Sequence, residues 1–289
     1  MATLKAIRRR IASVRSTEQI TRAMKLISAA RLRRAQEALL GARPYHEALT
    51  RVADSVLQTA PELAAPADNA ATRTLIIVVA SDRGLAGGYN MNLLRLAEEA
   101  TSRGPSSNLE AEFFAVGRKA LDHFRRTRHS LAGERINNTP RLATVGLARE
   151  ISQLVLTRWR TGAIREAALV YSVFRSAISQ RPTFEKLLPI EPPRQNGAQP
   201  PAATDYLIEP SPAELVPVVL RTYVEASVLH ALLEAEASEH GARMTAMDAA
   251  TNNAIDMIER LTLEMNRARQ AAITKELMDI VGGAEALRG

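Results

Sequence analysis

All 14 prolines of this 289-residue chain fall between Pro44 and Pro217. Proline removes a backbone donor and crowds the preceding turn, so long helices are disfavoured in the middle of the chain and permitted at both ends. In the first flank Thr3 is placed to act as an N-cap. Leu4, Ile7, Ile11 and Val14 recur at helical spacing, and Ile20, Met24 and Ile27 resume the stripe after a shift. A helix from Thr3 to Arg43 would be roughly 60 Å long. The second flank opens with Ser211-Pro212-Ala213-Glu214, a capping box with proline at the first helical position, and Pro217 is expected to kink the first turns. Met244, Met247, Thr251, Ala254, Ile258, Leu261, Met265, Ala268 and Ala272 then alternate spacings of 3 and 4, with Gly282-Gly283 as the expected stop. A helix from Val218 to Val281 would be roughly 95 Å long. Neither is stable by propensity alone, so each stripe needs a partner, and each is the obvious partner of the other.

Between the flanks the period changes. Leu75 to Ala80 is a short, wholly apolar, β-branched run, as expected of a strand covered on both faces. Glu112 to Val116, Ala168 to Phe174, Phe184 to Leu188 and Tyr206 to Ile208 are weaker strand candidates, and helical patterns fill Asn90 to Ala100, Arg118 to Arg128 and Leu147 to Thr161. This alternation predicts a mostly parallel sheet with helices packed on it. Pro61 to Arg73 and Glu191 to Ala203 read as linkers. The expected division is a helix over 1–60, an α/β domain over 61–209, and a second helix over 210–289 that pairs with the first.

Charge is distributed unevenly. Residues 1–51 hold 12 Lys or Arg against Glu18, Glu37 and Glu47, whereas the whole chain is +7, so the first helix carries all of the excess. Such a helix seeks an acidic surface: protein, nucleic acid or anionic lipid. The sequence has no cysteine, which excludes disulfides and thiol chemistry, and no unbroken apolar run of the roughly 20 residues needed to span a bilayer.

The run Ser81-Asp82-Arg83-Gly84-Leu85-Ala86-Gly87-Gly88 follows a strand and precedes a helix, where a phosphate could sit. Its glycine spacing fits neither GxGxxG nor GxxxxGK[ST], so a tight turn projecting Asp82 and Arg83 is the preferred reading. Arg8-Arg9-Arg10 with Arg31, Arg33 and Arg34 suits an acidic protein face or a solvated one better than nucleic acid, because no aromatic is interleaved for base stacking before Tyr45. The five histidines, at 46, 123, 129, 230 and 240, have no ligand spacing, so no metal site is expected. No catalytic arrangement or cofactor motif stands out. Near the end, Arg269, Ile273 and Glu276 share a helix face beside the row Gln270 and Thr274. Either this is a solvated face or it is a polar catch for another protein.

These residues carry a resemblance. Ala237 to Asn253 (ASEHGARMTAMDAATNN) and Asn266 to Leu277 (NRARQAAITKEL) resemble the C-terminal signature of the γ subunit of F-type ATP synthases. Ile20 to Gln36 resembles its N-terminal helix and Ser81 to Gly88 its central loop. The resemblance implies a Rossmann-like α/β domain inserted between long terminal helices that form an antiparallel coiled coil. The implied function is that of a rotor shaft without a catalytic site of its own, coupling ion-driven rotation of the membrane c-ring to the catalytic β subunits. The implied partners are a ring of α and β subunits, the ε subunit and the c-ring, one copy per complex, with no nucleic acid. Arg269, Gln270, Thr274 and Glu276 match positions that engage β loops, Arg243 and Met24 match contact positions, and Lys25 and Arg31 match basic positions facing acidic β segments. Ala86 stands where cysteine is frequent, and Gly241 where alanine is usual. Because the family's first helix follows Met1 almost at once, an uncleaved bacterial protein at the cytoplasmic face of the inner membrane is expected. The rival readings are a nucleotide-dependent α/β enzyme with a helical arm and a basic coiled-coil binder of nucleic acid.

Overall fold

The computed structural model describes residues 4–59, 71–102, 109–136, 141–190, 209 and 211–286. The elements in order are α1 (Leu4–Thr59), β1 (Arg73–Val79), α2 (Tyr89–Ser102), β2 (Glu110–Val116), α3 (Arg118–Arg126), β3 (Ser130–Arg135), α4 (Arg141–Arg160), β4 (Glu166–Ser176), β5 (Ser179–Leu188) and α5 (Pro212–Ala286). The expected strand at Tyr206 to Ile208 lies outside the described residues. The chain forms two compact units, one made of residues 1–28 and 244–289, the other of residues 29–243.

The larger unit holds a five-stranded sheet in the order β3-β2-β1-β4-β5. Strands β3, β2, β1 and β4 run parallel, and β5 returns antiparallel to β4 through a tight hairpin. The run in β1 explains the layering. Leu75, Ile77 and Val79 point into a cluster with Ala148, Ile151, Val155 and Trp159 of α4 and with Val224, Val228 and Ala231 of α5. Ile76 and Val78 point the other way, to Leu93 and Ala97 of α2 and Leu121 and Phe124 of α3. Each fully buried Leu, Ile or Phe contributes roughly 1.5–3 kcal/mol, so these two layers supply most of the driving force for this unit.

Strand β3 has no counterpart among the sequence expectations. Its sequence SLAGER lacks β-branched residues and contains Gly133, which reads as a turn. The glycine is there for packing: a Cβ on it would lie 2.7 Å from the ring of Phe114. The β2–β3 register shifts between Phe113 and Phe114, so the ring and the backbone of β3 share one gap.

Both helical flanks run further than expected. Helix α1 passes through Pro44 and α5 through Pro217. Pro44 forfeits one helical hydrogen bond, at a cost of about 3 kcal/mol. Burial of Leu39, Ala53 and Val56 on either side of it offsets that loss. Gly282-Gly283 does not stop α5, which continues to Ala286. Neither glycine has a positive φ, so the expected left-handed cap is absent there. The N-terminus of α5 is set by Ser211, whose carbonyl accepts from the N–H groups of Glu214 and Leu215 and whose hydroxyl meets the Glu214 carboxylate at 3.3 Å.

Helix α5 is also long and apolar enough in composition to contain a stretch that could cross a membrane, although no unbroken apolar run marks it in the sequence. Of that stretch 56% is buried inside the protein, as befits a core helix.

In the smaller unit the two helical segments run antiparallel. Thr251 donates to Thr21 at 2.8 Å and Lys25 to Asp248 at 2.6 Å, so partners rise along one helix as they fall along the other. The α5 stripe is as expected from Met244 to Ala268, with Met247, Thr251 and Ala254 buried, but Ala272 is exposed. The α1 stripe requires a correction. Ile20 and Ile27 are 57% and 54% exposed, and the buried line from Ile7 and Ile11 continues without a shift through Thr21 and Ser28. Thr21 holds its buried position because its hydroxyl finds partners: Glu18 within its own helix and Thr251 across.

Candidate functional site

Two groups of residues stand out, one in each unit. In the larger unit the loop between β1 and α2 is tied on every side. Asn90 Oδ1 accepts from the Ser81 N–H at 3.0 Å and from its hydroxyl at 2.9 Å. Asp82 Oδ1 accepts from the Arg118 N–H at 2.9 Å, which fastens the loop to the start of α3. From α5, Arg243 donates through Nη2 to the carbonyl oxygens of Arg83 at 3.2 Å and Gly84 at 3.4 Å. Its Nη1 pairs with Glu239 at 2.7 Å. Arg243 is only 7% exposed, so its charge is spent inward on the loop. Burial pushes the Glu239 carboxyl up, and Arg243 opposes the shift. His240, beside Arg243, is lowered to about 4 by burial and by the two cations Arg243 and Arg31.

Gly117 makes the loop's approach possible. Its φ is +90°, and a Cβ there would stand 2.2 Å from the carbonyl oxygen of Ala80. Held this way, the loop turns Arg83 and Leu85 outward, with Asp82 half-buried. Leu85 sits at φ 65°, a left-handed conformation uncommon for a non-glycine residue, and is 61% exposed. Arg31, expected to face an acidic partner, is exposed.

In the smaller unit, every residue of α5 from Arg269 to Ala284 is exposed. Thr274 spends its hydroxyl on the Gln270 carbonyl at 3.0 Å. Among the described residues, the side chains of Arg269, Gln270 and Glu276 have no hydrogen-bond or ion-pair partner. Beside them Ile273, Leu277, Met278, Ile280 and Val281 are between 49% and 68% exposed. Apolar exposure of this extent on a helix, mixed with unpaired polar groups, is the make-up of surfaces that partners cover. Met24 and Lys25 are half-buried in the same unit, and Lys25 is already paired with Asp248.

The sequence reading missed Glu239, Asn90 and the Arg118 amide as parts of the loop's support. Only the presence of ASEHGARM could have pointed to Glu239, since Glu239 and Arg243 lie one helical turn apart. Among the described residues no three His, Asp or Glu side chains converge in a way that could hold a metal ion.

Fold and site together define a class: an α/β domain inserted between two long helices that pair antiparallel at the chain ends, the second exposed from Arg269 to Ala284. The sequence model of the family described as ATP synthase matches residues 3–287. The ATP synthase gamma chain of Desulfitobacterium hafniense is 45% identical over 99% of this chain and 100% of its own length. That of Moorella thermoacetica is 46% identical over 100% of both. Among solved structures, a chain of the Euglena gracilis mitochondrial ATP synthase (OSCP/F1/c-ring, rotational state 3) is similar in fold, with a TM-score of 0.66 at 20% identity over 98% of this chain and 94% of that one. This chain belongs to the ATP synthase gamma-chain family. It is a central rotor shaft, a non-catalytic subunit that acts within a complex.

Proposed function

We propose that this chain transmits torque through the bare end of α5 and the clamped loop, coupling ion-driven rotation of a membrane c-ring to the nucleotide-binding cycle of catalytic β subunits. The observation that carries the reading is the set Arg269, Gln270 and Glu276, unpaired among the described residues, with Thr274, on a stretch of helix that is exposed from Arg269 to Ala284. In a ring of alternating α and β subunits these groups offer directed hydrogen bonds from a rigid helix. Met24, Lys25, Arg31, Asp82 and Arg83 are the other contacts in this reading, and Arg243 contributes by fixing the loop. The excess positive charge of residues 1–51 suits acidic β segments.

In this reading the helices of 1–60 and 210–289 form an antiparallel coiled coil, and the α/β domain of 61–209 meets the ε subunit and the c-ring. One copy serves each complex, at the cytoplasmic face of a bacterial inner membrane, as a peripheral subunit in hydrogen ion transport. The test is co-expression with cognate α and β chains. A stable complex whose ATPase activity depends on this chain is expected; α and β chains that assemble and turn over identically without it would overturn the reading.

A further inference from the structure

Within the larger unit, α1 and α5 meet through a pair of imidazoles. The rings of His46 and His230 stack with centroids 4.3 Å apart and planes 12° from parallel. His46 Nε2 lies 3.4 Å from the Ser227 hydroxyl, and His230 Nε2 lies 3.6 Å from Glu234 Oε1. His230 Nδ1 is buried with no hydrogen-bond partner. The carboxylate that meets His230 is already engaged: Glu234, 2% exposed, accepts from Arg43 of α1 at 3.2 Å and from the Phe174 N–H of β4 at 2.7 Å. The other charged groups facing the pair are Glu47 on α1 and Glu185 on β5, the latter accepting from Tyr171 of β4. Two neutral imidazoles stack well in such a place. Two imidazoliums cannot, because each would face the other's charge at ring-stacking distance with Arg43 close by and Glu234 committed elsewhere.

We propose that the His46–His230 stack is a proton-operated clasp, which holds α1 to α5 in the larger unit while both rings are neutral and releases that stretch when acid charges them. The inference stands on residues that the rotor reading does not use, and its test does not depend on that reading. Burial, then Arg43, hold His230 down at about 4 from the ordinary 6.5. Burial and His230 lower His46, against the opposing pull of Glu185, Glu47 and Glu234. An opened clasp exposes the rings, which take up protons below 6.5, while in the closed clasp His46 is held below that value and His230 stays neutral until about 4. The clasp is therefore at full strength above pH 6.5, and weakens as the pH falls from there to about 4.

The test is hydrogen exchange on the full-length chain at pH 7.5 and 5.0, with protection corrected for the intrinsic chemical rate. In the unsubstituted protein, acid is expected to reduce protection of residues 223–238 of α5 on the order of tenfold relative to residues 247–260. His230→Gln removes the buried imidazole, and the acid-specific loss should shrink to about threefold or less; His46→Phe keeps a stackable ring that cannot be charged and removes only the share of His46, so its loss should fall between those of His230→Gln and the unsubstituted protein. His240→Gln should leave it intact, because His240 stands outside the stack. If acid weakens both stretches of α5 equally, or if His230→Gln loses protection as the unsubstituted protein does, the clasp does not exist.

Discussion

The Arg243 guanidinium spans from the Glu239 carboxylate, 2.7 Å away on its own helix, to the carbonyl oxygens of Arg83 and Gly84 on the loop after β1. One buried cation thus fixes a loop whose outward residues, Arg83 and Leu85, are free to meet a partner.

Arg243→Ala would leave Glu239 largely buried without its counterion and free two loop carbonyls. A stability loss of roughly 3 kcal/mol is expected, read by denaturant unfolding. Arg243→Lys keeps the charge but cannot reach Glu239 and two carbonyls together, so it should fall between the two.

Arg269→Ala with Gln270→Ala removes side chains that have no partner among the described residues. Stability should stay within about 0.5 kcal/mol, as for exposed positions generally. In an assembled complex, coupled ATP turnover should fall severalfold while the subunits still associate, which gel filtration and ATP-driven ion pumping would show together. Unchanged turnover would remove this face from the mechanism.

Thr21→Val with Thr251→Val replaces both partners of a buried hydroxyl pair by apolar groups of the same shape. The double variant is expected to match or exceed the parent in stability, since neither side is left unsatisfied. Thr21→Val alone should cost less than about 1 kcal/mol, because Thr251 keeps its bond to the Met247 carbonyl.

Gly117→Ala forces a side chain into a left-handed φ and against the Ala80 carbonyl. A loss of at least about 2 kcal/mol is expected, visible as a lowered thermal midpoint. Gly241→Ala should differ. It gains about 1 kcal/mol of helix propensity, but its Cβ would press Phe174 at 3.2 Å and Ala177 at 3.4 Å, so little of that gain should be measured.

Much of this is legible in the amino-acid sequence. Local periodicity placed the two long helices and the buried strand β1, and the motif at Arg269 to Glu276 needed only helical spacing to be seen as one face. The order of segments around the loop at Ser81 to Gly88 was legible too. What failed has a common cause. By spacing and hydropathy Ile20 and Ile27 belong to the buried stripe because they are apolar, and Thr21 and Ser28 do not because they are polar. Yet Thr21 is buried because its hydroxyl meets Thr251, 230 residues away in the chain. Strand β3 escaped notice because Gly133 earns its place from the ring of Phe114, on another strand. The inward turn of Arg243 depends on carbonyls 159 and 160 residues earlier. Propensity and periodicity are properties of neighbours along the chain, and the sequence by itself determined what rests on them: where helices and strands form and which family the chain resembles. Burial of a polar group is a property of a pair. Only the tertiary structure decided which charges and hydroxyls face inward, since only there do distant partners exist to compensate their loss of water.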